Sequence, residues 1–278
     1  MAGVGVDEAM LNDLKNTAEQ VAVEAAHLVR TAWVRMRSGG EVAVDTKSGE
    51  TDVVTAVDRE SEELVRARLE RIRPGEPVLG EEGGGAGNDA AGGVTWVVDP
   101  IDGTVNFLYG LPTFAVSIAA QVDGVSVAGA VVEPVSGRRW TAVRGGGSWL
   151  DGTRLSVSAA DRLELALVGM GFAYGQDRRV RQGKLTADLI GRVRDIRRRG
   201  AASLDLCAVA AGWLDGYFEH GLHRWDWAAG ALVAQEAGAT VLLPGEAADL
   251  GEDATFAASP GIAAELRAAL SAGGAAEV

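Results

Sequence analysis

The chain has 278 residues, which is enough for one large domain or two closely packed ones. Hydrophobic residues make up 47% of it, and this excludes a disordered chain. With 39 acidic and 26 basic residues the net charge is −13, so general binding to nucleic-acid phosphates is not expected. An anionic substrate would need a local source of positive charge, such as bound divalent cations.

The sequence gives no sign of secretion or membrane insertion. Cys207 is the single cysteine and cannot form an internal disulfide, as is typical of a reducing compartment. Asp7, Glu8 and Asp13 precede any apolar run, so we expect no signal peptide. No stretch approaches the roughly 20 apolar residues that a membrane span requires. We therefore expect a soluble, cytoplasmic protein with no membrane partner.

The N-terminal half predicts two helices separated by a hairpin. Apolar residues three to five apart predict a helix over residues 7–36, ended by Ser38-Gly39-Gly40. Residues 41–54 alternate on both sides of Ser48-Gly49, which predicts a hairpin. Thr55 is then the expected cap of a second helix over residues 56–72, with Asp58 in its first turn.

The middle of the chain predicts strands. Val78-Leu79 forms a short buried strand, and the glycines of residues 83–93 indicate a surface loop. Turns are expected at Asp123-Gly124 and Asp151-Gly152. The expected antiparallel strands are 114–122, 125–132, 139–143 and 148–157.

Beyond Ala159 the pattern changes to alternating strands and helices, which predicts a second half. We divide the chain into residues 1–159, an α+β half, and residues 160–278, an α/β half. The expected strands of the second half are 165–169, 193–196, 217–218, 240–243 and 254–258. Its expected helices are 176–190, 202–212, 225–237 and 261–271.

The stretch from Trp96 to Thr104 carries the clearest chemical pattern. An apolar run ends at Asp99, and Asp102 follows three residues later, before Gly103-Thr104. Two close carboxylates raise each other's pKa unless a cation lies between them, and hard oxygen ligands suit Mg²⁺. The N–H groups of Gly103 and Thr104 open a helix and could bind a phosphate. A strand that ends in an Asx turn with a helix cap is an equally good interpretation of this stretch taken alone.

Further carboxylates occur at similar positions. Glu81 and Glu82 follow the strand at Val78-Leu79, and ligands at the carboxyl ends of neighbouring strands converge. Asp226 lies between Trp225 and Trp227 at the start of an apolar helix. Solvation of the glutamates, and a simple helix-dipole role for Asp226, are the structural alternatives.

Taken together, three motifs resemble the inositol monophosphatase family, which comprises Mg²⁺-dependent, lithium-sensitive phosphomonoesterases. They are Gly80-Glu81-Glu82, then Asp99-Pro100-Ile101-Asp102-Gly103-Thr104, then Trp225-Asp226. The resemblance covers nearly the whole chain and implies an α/β, sugar-phosphatase-like fold layered αβαβα. This fold has a large antiparallel sheet and a smaller C-terminal sheet, and the resemblance also implies a homodimer.

The resemblance implies two or three Mg²⁺ ions per active site. Glu81, Asp99 and the carbonyl of Ile101 would bind the first ion. Asp99, Asp102 and Asp226 would bind the second, and a weaker third would lie near Glu81. These ions would explain how a chain of charge −13 binds a phosphomonoester.

The resemblance also implies the substrate contacts. Gly103 and Thr104 would hold the phosphate, and Asp58 with the Thr104 hydroxyl would orient the attacking water. Ala202 and Glu219 would lie near the alcohol part of a small phosphorylated sugar or polyol. Asp99 would also lie near the alcohol part, and the metal ligands Asp102 and Asp226 would contact the substrate as well. We expect inositol 1-phosphate to be hydrolysed to inositol and phosphate.

Other functions stay open at this point. Fructose 1,6-bisphosphate, histidinol phosphate, NADP and 3′-phosphoadenosine 5′-phosphate are substrates in the same family. A non-catalytic regulatory protein is a further alternative, with the basic residues 192–199 as its contact surface. A solvated face or a subunit contact is the simplest interpretation of that basic cluster. Contact of Arg198 and Arg199 with a second substrate phosphate is the alternative.

Overall fold

The computed structural model describes residues 7–49, 52–85 and 93–278. Within these residues the chain forms seven α-helices, numbered here in chain order. Their bounds are α1 Glu8–Arg37, α2 Ala56–Ile72, α3 Thr104–Leu108, α4 Gln176–Ile190, α5 Ala202–Ala210, α6 Arg224–Glu236 and α7 Pro260–Ala272.

The strands form three sheets. A two-stranded ribbon pairs β1 Val44–Gly49 with β2 Asp52–Thr55. The large sheet follows chain order and contains β3 Val78–Gly80, β4 Val94–Asp102, β5 Ala115–Val122, β6 Val125–Val132, β7 Arg139–Val143, β8 Gly147–Leu150 and β9 Thr153–Arg154. The smaller sheet has the order β11-β10-β12-β14-β13 and contains β10 Leu167–Met170, β11 Asp195–Arg197, β12 Gly216–His220, β13 Thr240–Leu242 and β14 Ala254–Ala258.

The large sheet is antiparallel except at its first pair, because β3 and β4 run parallel. The predicted turns at Asp123-Gly124 and Asp151-Gly152 are present, and all four residues have positive φ. This conformation matches the strand twist in two-residue hairpins and explains the Asp-Gly sequences. In the smaller sheet β10 pairs in parallel with both β11 and β12, while β14 pairs antiparallel with β12 and β13.

The layers alternate between helices and sheets. One face of the large sheet packs against α1 and α2, and Trp96, Val98 and Ile118 lie in that core. The opposite face packs against α5 and α6, which also contact the smaller sheet through Tyr217. Helices α4 and α7 cover the far face of the smaller sheet. The order is therefore helix, sheet, helix, sheet, helix, which confirms the predicted αβαβα fold.

The second core joins the two halves of the chain. Val97 and Val131 from the large sheet pack in it with residues of α5 and α6, which belong to residues 160–278. The division after residue 159 falls between β9 and a short 3₁₀ helix at Leu163–Leu165. Among the described residues, no helix is both long and apolar enough to cross a membrane.

Several element boundaries differ from the prediction. The hairpin turn does not lie at Ser48-Gly49, because β1 continues through Gly49, which is paired with Asp52. The strand expected at residues 165–169 begins at Leu167, after the 3₁₀ turn, and α5 ends at Ala210 instead of residue 212. Most of the predicted glycine-rich loop, residues 86–92, lies outside the described residues.

Candidate active site

The predicted site residues meet at one cavity of about 290 Å³ between the two halves of the chain. Those that line it are Glu81, Asp99, Ile101, Asp102, Gly103, Thr104, Ala202, Glu219 and Asp226. Asp58 is fully buried directly behind the cavity wall, where it contacts Thr104. The structure therefore brings together every residue that the sequence placed in the site.

Strands β3 and β4 place two of the acids side by side. They run parallel with Gly80 opposite Val98, and the Glu81 N–H continues the ladder by donating to the Val98 carbonyl at 3.2 Å. Glu81 therefore emerges beside Asp99 at the same sheet edge. This is the convergence of strand ends that the sequence predicted.

A β-bulge brings Asp102 to the same sheet face as Asp99. Residues three apart in a regular strand point to opposite faces. Here Asp99 pairs with Ser117 and Asp102 pairs with Ala115, so three steps on β4 match two steps on β5. The extra residue lies at Pro100-Ile101, where proline has no N–H to offer the ladder. Because of this bulge both carboxylates face the cavity.

Asp102 also holds the first turn of α5. Its Oδ1 accepts the Ala202 N–H at 3.1 Å, and its Oδ2 accepts the Ser203 N–H at 2.7 Å and the Ser203 hydroxyl at 2.5 Å. Burial raises the Asp102 pKa to about 6, although the bonds from Ser203 and Ala202 oppose that shift. One carboxylate therefore joins the large sheet to a helix of the second half.

Thr104 and Asp58 form a buried pair at the start of α3. The Thr104 hydroxyl lies 2.9 Å from Asp58 Oδ1 and 3.1 Å from the Ile101 carbonyl, so its one proton has two acceptors. Asp58 Oδ2 accepts the N–H and hydroxyl of Thr55 at 2.8 and 2.5 Å. Burial raises the pKa of Asp58, while the Thr55 bonds favour its ionised form. Thr55 is the predicted cap of α2.

A side chain at Gly103 would be strained and crowded. Its φ is +95°, in the left-handed region that favours glycine. A Cβ there would lie 3.1 Å from the Gly200 carbonyl oxygen and 3.2 Å from that of Thr113. The backbone can therefore approach a ligand closely between Asp102 and α3.

Asp226 reaches the cavity from the second half. It lies in the first turn of α6, and its Oδ2 accepts the His223 N–H at 2.6 Å. Burial and the charges of Asp102 and Glu81 raise its pKa well above the usual aspartate value. Burial and the charges of Glu81, Asp102 and Asp226 do the same to Asp99.

The donor set fits a divalent cation. Five carboxylates line the cavity, of which Glu81, Asp99, Asp102 and Asp226 are the expected metal ligands. Burial and mutual repulsion raise the pKa of Asp99 and Asp226, and a cation would relieve that repulsion. The carboxylate oxygens are hard ligands of the kind that Mg²⁺ prefers. Among the described residues, no three acidic, histidine or cysteine side chains already stand at metal-ligand spacing. The four acids therefore surround the cavity without closing on a single point.

Glu219 lines the same cavity, and two neighbours fix its carboxylate. The Tyr217 hydroxyl donates to Glu219 Oε2, and a Cβ added at Gly171 would collide with the Glu219 carboxylate. Burial raises the Glu219 pKa to about 7, while Tyr217 and the positive charge of Arg198 oppose the shift. Glu219 is thus a carboxyl group that titrates close to neutral pH.

Sequence reasoning missed several of the neighbours that set this geometry. It gave no individual role to Tyr217, Ser203 or Gly171. Tyr217 lies two residues before Glu219 on the same strand, so the period-two alternation could have placed both on one face. Arg198 and His223 also line the cavity. For Arg198 the sequence left contact with a second substrate phosphate open as an alternative.

The chain matches known proteins over most of its length. The family model described as "Inositol monophosphatase family" matches residues 10–274. A protein of Mycobacterium leprae named inositol-1-monophosphatase is 52% identical, over 92% of this chain and 93% of that protein. A Pseudomonas aeruginosa protein named Nus factor SuhB is 41% identical, over 83% of this chain and 85% of that protein. The solved structure of Mycobacterium tuberculosis SuhB has a TM-score of 0.79 at 44% identity, covering 95% of this chain and 98% of that one.

Proposed function

Since the chain belongs to the inositol monophosphatase family, a family of phosphatases, we propose that it hydrolyses inositol 1-phosphate to inositol and phosphate with Mg²⁺ as cofactor. The observation that carries this proposal is the cavity shared by five carboxylates and the Gly103-Thr104 turn. Such a cavity repels a phosphate monoester unless cations are bound in it. The cofactor and the substrate are therefore proposed together.

The carboxylates would hold the ions in two overlapping sets. Glu81, Asp99 and the Ile101 carbonyl would bind one ion, and Asp99, Asp102 and Asp226 the other, with a weaker third near Glu81. Bound Mg²⁺ would lower the pKa of a water molecule and neutralise charge on the phosphate and the leaving oxygen. No strong general acid is then required beside the leaving group.

Thr104 and Asp58 would orient the attacking water. When the Thr104 proton is donated to Asp58 Oδ1, at 2.9 Å, the hydroxyl lone pairs are free to accept a hydrogen bond from water. The Ile101 carbonyl, 3.1 Å away, is then released for a cation. The N–H groups of Gly103 and Thr104 would hold the phosphate in line for attack.

Glu219 and Ala202 would contact the alcohol part of the substrate. An ionised Glu219 would accept hydrogen bonds from ring hydroxyls, and a polyol offers several such donors. Its pKa of about 7 means that it is largely ionised only above neutral pH in the absence of substrate and cations. Ala202 lines the cavity and takes up little space there, because its side chain is a single methyl group.

The direct test is phosphate release from inositol 1-phosphate by the wild-type protein and by Asp99→Asn. We expect Mg²⁺-dependent turnover that chelation abolishes, and a loss of at least about a thousandfold in kcat/KM for the variant, about 4 kcal/mol of transition-state stabilisation. Asp99 is chosen because Asp102 also caps α5, so that its replacement would disturb the fold. Equal turnover by wild type and Asp99→Asn would refute the proposed site.

A second candidate substrate carries an additional anionic group. Arg198 lines the cavity and is exposed, and no ion pair within 4.0 Å holds it among the described residues. It could contact a second phosphate, as in fructose 1,6-bisphosphate, NADP or 3′-phosphoadenosine 5′-phosphate. A panel of test substrates should contain these three together with histidinol phosphate, which has no second phosphate. Ranking kcat/KM across the panel, with Arg198→Gln beside wild type, distinguishes the candidates. Absence of turnover for every substrate would favour the non-catalytic alternative.

A further inference from the structure

Helix α2 holds the turn that carries Glu81 through two side chains, Glu62 and Arg66. Glu62 is only 2% exposed, and it accepts the Glu82 N–H at 2.8 Å and the Gly83 N–H at 2.9 Å. The Arg66 Nε donates to Glu62 Oε1 at 2.7 Å. A buried carboxylate thus receives both backbone N–H groups that follow Glu81.

Arg66 joins the two ends of the same turn. One guanidinium nitrogen donates to the Val78 carbonyl at 3.0 Å, and another donates to the Gly84 carbonyl at 2.7 Å. The guanidinium therefore bonds to β3 before Glu81 and to the backbone after it. A planar group with donors in fixed directions is suited to such a bridge.

Two glycines allow this close contact. A Cβ added at Gly80 would overlap the Glu62 carboxylate, and one at Gly83 would lie 2.6 Å from Glu62 Oε1. Glycine on both sides of Glu81-Glu82 thus lets the backbone lie directly against Glu62. Helix α2 and the turn are therefore joined by directional hydrogen bonds to a buried carboxylate, which distinguishes this contact from a surface ion pair.

Asp58, Glu62 and Arg66 are spaced four residues apart and lie on one face of α2. Asp58 contacts Thr104, while Glu62 and Arg66 contact the turn of Glu81. A single helix face therefore supports two separate parts of the site.

We propose that Glu62 and Arg66 are positioning residues that set the Mg²⁺ affinity of the site by fixing the turn that presents Glu81. This inference rests on the proposed function, in which Glu81 is a metal ligand. A ligand on an ordered turn loses less conformational entropy on binding than a ligand on a free turn. Groups behind a metal ligand commonly change metal affinity by about tenfold to a hundredfold.

The test is calorimetric titration of the protein with Mg²⁺ at neutral pH. We expect Glu62→Gln and Arg66→Met each to raise the Mg²⁺ dissociation constant by about tenfold to a hundredfold. In Glu62→Gln the side-chain amide would point an N–H donor at another donor, either the Gly83 N–H or the Arg66 guanidinium. In Arg66→Met the hydrogen bonds from the guanidinium to the Val78 and Gly84 carbonyls are lost. The matched control is Arg68→Met, which removes an ion pair between the same helix and Glu24 (2.5 Å) but no bond to the turn. It should bind Mg²⁺ as wild type does.

The outcomes separate this inference from the proposed function. If wild type binds no Mg²⁺, the proposed cofactor and this inference both fail. If wild type binds but Glu62→Gln and Arg66→Met bind equally well, only this inference fails.

A second measurement uses wild type alone, in case the variants do not fold. Order in the turn that carries Glu81 and binding of Mg²⁺ are coupled, and such coupling is reciprocal. If an ordered turn strengthens Mg²⁺ binding, bound Mg²⁺ must therefore make the turn more ordered. Mg²⁺ should therefore slow hydrogen exchange at the Glu82 and Gly83 amides relative to the Asp123-Gly124 turn. Unchanged exchange at Glu82 and Gly83 would overturn the inference.

Discussion

At the scale of single residues, Glu219 shows how a substrate contact depends on its neighbours. Tyr217 donates to its carboxylate, and Gly171 leaves the space that the carboxylate occupies. Neither neighbour needs to touch the substrate. The orientation of Glu219 is therefore set by one hydroxyl group and by the absence of one methyl group.

Replacing Gly171 with alanine should displace Glu219. We expect Gly171→Ala to raise KM for inositol 1-phosphate by about tenfold to a hundredfold, since a hydrogen bond to a charged group is worth about 1.5–3 kcal/mol. Turnover of p-nitrophenyl phosphate, which offers no ring hydroxyl, should stay near the wild-type value. Steady-state kinetics with both substrates measures the difference.

The control for this change is Gly183→Ala in α4, where an added Cβ meets nothing within 4 Å. It should leave both substrates unaffected. Equal losses on both substrates in Gly171→Ala would mean that the substitution damages the site generally and does not act through Glu219.

At the scale of elements, the bulge in β4 and the start of α5 are built around Asp102. The bulge turns this carboxylate toward the cavity, and α5 donates three hydrogen bonds to it. The helix lacks a side-chain cap from its own preceding residue, Ala201. Asp102 supplies that cap from 100 residues away in the sequence.

Ser203→Ala should weaken this junction. The variant loses the hydroxyl bond to Asp102, so we expect the free energy of unfolding to fall by about 1 kcal/mol. The Asp102 pKa should rise further, because that bond favours the ionised form. Urea unfolding gives the first quantity, and Mg²⁺ titration at pH 6 against pH 8 reports the second.

Ser156→Ala is the matched control, because Ser156 is exposed and distant from Asp102 in the chain. Its unfolding free energy should equal that of wild type within about 0.5 kcal/mol. A Ser203→Ala protein as stable as this control would contradict the capping role of Asp102.

At the scale of the whole molecule, the two halves meet at a concentration of negative charge. Asp99 and Asp102 come from residues 1–159, and Glu219 and Asp226 come from residues 160–278. Cations bound between them would join the halves as well as neutralise the substrate. The homodimer, the cytoplasmic location and the two-part division remain predictions.

Without Mg²⁺, the protein should lose stability as the pH rises from about 4 to 7. Burial raises the pKa of Asp102 to about 6 and of Glu219 to about 7, above their usual values of 3.8 and 4.5. Across that window the folded state retains protons that the unfolded state has released, so the unfolding free energy falls with rising pH. Each group accounts for on the order of 3 kcal/mol at most.

Melting temperatures in EDTA and in millimolar Mg²⁺, at pH 5 and pH 8, test this. We expect the EDTA sample to melt lower at pH 8 than at pH 5, and Mg²⁺ to recover most of the loss at pH 8. Asp226→Asn should reduce the Mg²⁺ effect, since it removes the ligand contributed by the second half. A melting temperature insensitive to Mg²⁺ at pH 8 would contradict a metal site between the halves.

The sequence by itself determined the family and most of the elements. Hydrophobic periodicity located α1 and α2, and the Asp-Gly pairs located two turns, because these signals are local. The spacing of Glu81, Asp99, Asp102 and Asp226 pointed to a shared site through family resemblance. The prediction of a turn at Ser48-Gly49 was wrong. Alternating residues on both sides indicate that a hairpin is present, but they locate its turn less well.

Only the tertiary structure decided how these residues come together. A regular strand would have separated Asp99 from Asp102, and the bulge at Pro100-Ile101 puts them on one face. The contacts of Glu62 with Gly83, of Ser203 with Asp102 and of Gly171 with Glu219 join positions from 21 to 101 residues apart. No local pattern encodes such contacts, because they arise from how the layers pack against each other.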